Sequence, residues 1–157
     1  MTGCPQCGAR TEAVTCEELF ERLLALDHSR RPPWGPLHAV AVTCFFLQHP
    51  AHPLAPLGRN DPGWAILHAY LAGGQQALDA VTDAARRSNS RGHRGRGGAA
   101  RPPFDSSPPM PDRPAPRALK VTIADVAADG SFPAPGYEQR VRRWAEDTVA
   151  MWTSCAP

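Results

Sequence analysis

The residues best suited to chemistry in this chain are cysteines and histidines, and their spacing points to a metal. The N-terminus carries Cys4-Pro5-Gln6-Cys7-Gly8, and a third cysteine follows at Cys16. Two intervening residues let the sulfurs of Cys4 and Cys7 face one point. A glycine after the second cysteine permits the tight turn of a zinc knuckle, in which backbone N–H groups point at sulfur. A thiol–disulfide role for the pair would need a strand before it and a helix directly after it. Here the following GARTEAVT is not a helical sequence. Three of the five cysteines lie within the first 16 residues, a clustering that favours metal over disulfides in a reducing compartment.

Tetrahedral zinc takes four nitrogen or sulfur ligands. Cys4, Cys7 and Cys16 supply three, and the segment Gly35 to Pro50, GPLHAVAVTCFFLQHP, offers His38 or His49 as the fourth. On one helix these histidines stand about 16 Å apart, so both cannot reach one ion. The order of the elements chooses between them. Thr15 to His28 reads as a helix, with Thr15 and Glu18 in a capping-box pattern and Leu19, Phe20, Leu23, Leu24 and Leu26 on an apolar face. Cys16 sits in its first turn, where the helix dipole favours thiolate. Residues 36–49 read as a second helix, begun by Pro36, stopped by Pro50 and apolar most of the way round, hence central. A short connection makes the two helices antiparallel neighbours. Cys16 then faces His49, and His38 lies at the far end beside His28 and Trp34. The expected ligands are Cys4, Cys7, Cys16 and His49, with His38 as the alternative fourth ligand and His52 also within reach. Such a closed set is structural. If Cys16 were not a ligand, the site would be open to water, with Glu17 and Glu18 as nearby bases.

The rest of the chain extends the helical reading. A Pro-rich loop at 51–62 leads to a third helix, Gly63 to Arg87, with Trp64, Leu67, His68, Leu71, Leu78 and Val81 on its apolar face and a weak point at Gly73-Gly74. His68 on that face reads first as a core histidine bonded to a carbonyl. Leu119 to Ile123 alternates as a short strand would, yet Thr122 also suits the cap of a short helix. A turn at Asp129-Gly130 precedes a last helix, Tyr137 to Thr153, whose Trp144 and Trp152 seal the core.

Charge sits unevenly on this frame. Residues 86–117 hold eight arginines against Asp105 and Asp112, a local +6, which leaves the remainder of a +2 chain at about −4. The stretch 88–117 is rich in Pro, Arg and Gly and reads as a disordered linker, with RGHRGRGG as a weak signal for nucleic-acid contact. Domains follow: 1–87, a zinc knuckle plus three helices; 88–117, the linker; 118–157, a C-terminal helix packing back on the same domain. The fold class is all-α, a small bundle of about four helices. No signal peptide and no membrane-length apolar run are read, so the chain is expected to be cytoplasmic.

CPQCG, then Cys16 opening a helix with Phe20 and Leu24, then His38 to Pro50 with its LQHP ending, resembles an uncharacterised family of small bacterial proteins, a domain of unknown function. The resemblance spans roughly residues 4–75 and the tryptophan-bearing C-terminal helix. It implies that Cys4, Cys7, Cys16, His38, Gln48 and His49 occupy motif positions, and it implies no activity.

Three functions fit. The first is a zinc-binding helical protein with a structural site and an accessory or binding role toward an unknown protein or small-molecule partner. The second is a metal-dependent enzyme of hydrolase or transferase type, with a pocket near His38 and His68. The third is a nucleic-acid-binding regulator, opposed by the acidic ordered part. No P-loop, GxSxG or HExxH motif is present.

Overall fold

The computed structural model describes residues 3–55, 62–92, 107–112, 114 and 118–153. Among the described residues, five α-helices and one 3₁₀ turn account for the regular structure: α1 (Cys16–His28), the turn Gly35–Leu37, α2 (His38–Gln48), α3 (Pro62–Gly92), α4 (Ile123–Ala127) and α5 (Tyr137–Thr153). Among the described residues there is no strand, and the chain is all-α. No helix among them is long and apolar enough to cross a membrane.

Helix α2 is the centre of the bundle. Val40, Ala41, Cys44, Phe45, Leu47 and Gln48 are all buried, on more than one side of the helix. It packs against α3 and α5, and also meets α1, which in turn packs on α4. The segment 36–49 is less regular than a single helix. Its first turn is 3₁₀, and His49 is a non-helical cap (φ −126°, ψ 61°). Pro50 explains the cap, because its ring disfavours helical geometry in the residue before it.

Helix α1 starts where its sequence dictates. Thr15 N donates to Glu18 Oε2 at 2.7 Å and Glu18 N donates to Thr15 Oγ1 at 3.1 Å, closing the capping box that fixes the place of Cys16. Helix α3 is broken at Gly74 (φ 66°, ψ −154°), the expected weak point, and continues five residues past Arg87. The RGRGG signal and most of the expected linker lie outside the described residues. Part of the stretch that is described, 107–112, sits on the core: Trp64 Nε1 donates to Pro108 O at 2.8 Å, and Met110 packs against the buried cluster.

The alternation at 119–123 resolves to an extended lead-in and the short helix α4, capped by Thr122 with Asp125. The lead-in forms no strand because side chains take its ladder groups. Asp147 Oδ2 accepts from Lys120 N at 2.7 Å and Val121 N at 2.9 Å, and Gln48 Nε2 donates to Val121 O at 3.0 Å. Gln48 also donates to Thr148 Oγ1 at 2.9 Å, tying α2 to α5. The two tryptophans of α5 do seal the core; Trp144 is fully buried, and Trp152 Nε1 donates to Leu47 O at 3.1 Å.

Candidate metal centre

Cys4, Cys7, Cys16 and His49 converge. Their ligand atoms, three Sγ and one imidazole nitrogen, all lie within 4.8 Å of one another. Each reaches the point from a separate piece of local structure. Cys4 and Cys7 come from a turn closed by Gly8 N donating to Cys4 O at 2.8 Å and Cys4 N donating to Ala9 O at 2.9 Å. Gly8 has φ +75°, a left-handed conformation that a side chain would resist. Cys16 is the first residue of α1, and His49 caps α2. Gln6, between the first two cysteines, accepts from Ala51 N at 2.8 Å and locks the knuckle to the end of α2.

The distances suit tetrahedral zinc. With bonds of about 2.3 Å to sulfur and 2.0–2.1 Å to nitrogen, tetrahedral edges are ~3.8 Å between sulfurs and ~3.6 Å from sulfur to nitrogen. Cys7 Sγ and Cys16 Sγ are 3.6 Å apart, and Cys4 Sγ lies 3.6 Å from His49 Nε2. The His49 tautomer is set by its other nitrogen. Nδ1 is 2.7 Å from Phe45 O, and a carbonyl only accepts, so Nδ1 carries a proton and Nε2 is the nitrogen left to face the sulfurs as a ligand. Phe45 also stacks on the His49 ring, with centroids 4.2 Å apart, and on Phe20 of α1 at 3.9 Å. The donor set therefore fits a closed Cys3His site.

Electrostatics agree. The hydrogen bond from Cys16 holds the Cys7 thiol below its ordinary range, while the same contact and burial push Cys16 up. Metal binding requires these thiols to be deprotonated, so a bound cation would release their protons.

The other histidines are placed apart from this cluster. His52 Nδ1 accepts from Leu54 N at 3.1 Å, leaving Nε2 to donate to the Glu17 carboxylate at 3.0 Å. Glu17 and Glu18 are thus engaged, one with His52 and one in the cap. His68 lies edge-on to Trp64, with centroids 4.6 Å apart. Burial lowers its pKa, and its Nε2 is buried without a hydrogen-bond partner among the described residues. His38 lies at the opposite end of α2, its Nδ1 2.9 Å from Asp27 Oδ2. The contact to Asp27 raises the His38 pKa, and burial raises that of Asp27. A cleft of 860 Å³ opens beside this pair, lined by Asp27, His28, Arg30, Gly35, His38 and Arg86. His68 is not part of its lining, so the pocket near His38 and the site of His68 are different places.

Asp27 is the residue that sequence reasoning missed. A signal was present: Asp27 follows Leu23 by four positions, on the same stripe of α1 as Leu19 and Leu23. A charge on a buried stripe marks a polar contact.

No curated protein and no solved structure matches the chain. The sequence model of one family does, over residues 2–153, and by that coverage the chain belongs to DUF5946, a family of unknown function.

Proposed function

We propose that this is a zinc-binding helical protein whose metal is structural and whose role is that of an accessory or binding protein. The observation that carries the reading is the convergence of three sulfurs and His49 Nε2 within 4.8 Å of one another, with the Cys7–Cys16 and Cys4–His49 pairs both at 3.6 Å. Soft thiolates with one imidazole select zinc over harder cations. When bound, zinc would cross-link the knuckle, the start of α1 and the end of α2. Three thiolates damp its Lewis acidity, and four protein ligands leave no position for a substrate or water. The ion thus contributes folding energy rather than chemistry.

A metal-dependent reaction at the His38 cleft fits less well, because the sulfur cluster and His38 lie at opposite ends of α2. Metal analysis of the purified protein tests the proposal. One zinc per chain is expected, falling to well below one in Cys4→Ser, with a lower melting temperature in both the variant and chelator-treated wild type. Full occupancy of the variant, or wild-type protein that melts unchanged in chelator, would overturn the reading.

A further inference from the structure

The cleft at the far end of α2 has features that a metal-stapled scaffold does not need. Asp27 is 5% exposed, and its Oδ1 is buried with no hydrogen-bond partner among the described residues. A carboxylate in such a place is costly unless it serves another group. Asp27 Oδ2 accepts from His38 Nδ1 and fixes that ring. Because the two imidazole nitrogens sit on opposite sides of the ring, Nε2 is then directed away from the carboxylate. The His38 side chain is 53% exposed and lines the cleft.

Around this dyad the lining is cationic. Arg30 and Arg86 contribute guanidinium groups, that of Arg86 3.8 Å from Asp83, and Asp27, already engaged with His38, is the sole acidic residue of the lining. The volume, 860 Å³, is within the range of metabolite-sized sites.

The loop that carries Arg30 is also built tightly. Arg30, just past the Ser29 cap of α1, has φ 58°, the left-handed conformation in which helices commonly end. Gly35 lies directly against it. A Cβ there would stand 2.6 Å from the Arg30 carbonyl carbon, so only glycine lets the two backbones meet. Gly35 N donating to Arg31 O at 2.9 Å and Trp34 Nε1 donating to Phe132 O at 2.9 Å hold the same loop in place.

We propose that this cleft binds a small molecule bearing an oxyanion, a phosphate monoester or a carboxylate, through His38 Nε2 and Arg30, with Asp27 as the positioning residue for His38. The site is independent of the sulfur cluster, so it stands or falls apart from the zinc reading. Asp27 draws a proton onto the imidazole, which makes Nε2–H a charge-assisted donor, and Arg30 supplies a planar fork suited to two anion oxygens.

The test uses full-length protein as purified, with phenyl phosphate, benzoate and benzyl alcohol as probes. The three share a ring and differ in the oxyanion. The His38 ring resonances, assigned by their loss in His38→Gln, are followed during titration. The expected result is a saturable shift with at least one anion and none with benzyl alcohol. The anion that binds more tightly gives the source, ester or carboxylate. In Arg30→Gln the affinity should fall about ten-fold, as loss of one charge-assisted contact implies. Asp27→Asn should weaken binding and shift the His38 titration together, a joint change that a purely structural ion pair would not produce. A linear, unsaturated shift with both anions, equal binding of benzyl alcohol, or an affinity unchanged in Arg30→Gln would each overturn the proposal.

Discussion

Replacing Phe45 by alanine separates packing around the sulfur cluster from ligation itself. Phe45 is 1% exposed and lies parallel to Phe20 at 3.9 Å, with an interplanar angle of 3°. Its other face takes the His49 ring at 4.2 Å, and Phe46 and His52 close its edges at 5.7 and 5.8 Å. A buried Phe→Ala change costs about 3–5 kcal/mol. Here the cavity is walled by residues from α1, α2 and the His52 loop, and collapse would require moving a candidate ligand. The cost therefore belongs in the upper part of that range, about 4–5 kcal/mol. For a chain of this length each kcal/mol lowers the melting temperature by about 2–4 °C, a total of about 8–20 °C. The Phe45 carbonyl survives the substitution, so the proton stays on His49 Nδ1 and the ligand lone pair is retained. Zinc affinity should then fall by only about 10–100-fold, the effect of removing support around a ligand. Urea unfolding in saturating zinc measures the first quantity, and competition with a chromophoric chelator measures the second. A stability loss under about 2 kcal/mol, less than a well-packed aromatic site allows, would refute the packing account. Complete loss of zinc would show that Phe45 does more than support His49.

Two further substitutions probe separate parts of the structure. Asp27→Asn removes the contact that raises the His38 pKa, so that pKa should fall toward the ordinary histidine value, as read by NMR titration. The stability that this contact adds through His38 is fully present below the unfolded pKa of about 6.5 and is lost as pH rises through the raised folded value. Wild type and Asp27→Asn should thus differ more at pH 6 than at pH 9, and an equal difference at both would contradict the pairing. Gly8→Ala tests the knuckle turn. At φ +75° a Cβ meets no atom within 4 Å, so the cost is conformational only, about 1–2 kcal/mol. Zinc affinity should fall roughly ten-fold with unchanged stoichiometry, as followed by chelator competition.

How much of this was legible in the sequence depends on whether local pattern or tertiary contact decides the outcome. The α1 cap was legible because Thr15 and Glu18 lie three residues apart and bond each other. The grouping of Cys16 with His49 was legible because a short connection forces antiparallel helices, which places those two ends together. Neither step needed a distant residue. By contrast, Leu119 to Val121 alternates like a strand but is extended without one, because Asp147 and Gln48, from α5 and α2, occupy its backbone groups. His38 was expected only at the far end of the helix, beside His28 and Trp34. Its partner is Asp27, whose burial depends on how α1 meets the rest of the bundle. The close approach of Gly35 to Arg30 had no local sign, since it is set by the path of the loop between them. Gln48 stood out only through the family resemblance, and its place between Val121 and Thr148 supplies the physical reason.

The central claim is that Cys4, Cys7, Cys16 and His49 together hold one zinc ion in a closed site. X-ray absorption at the zinc edge of the purified protein tests it most directly. The account predicts three sulfurs at about 2.3 Å and one nitrogen at about 2.0–2.1 Å, with no oxygen neighbour, and loss of the nitrogen shell in His49→Ala. A first shell with fewer than three sulfurs and a bound water, or a nitrogen shell that survives His49→Ala, would contradict it.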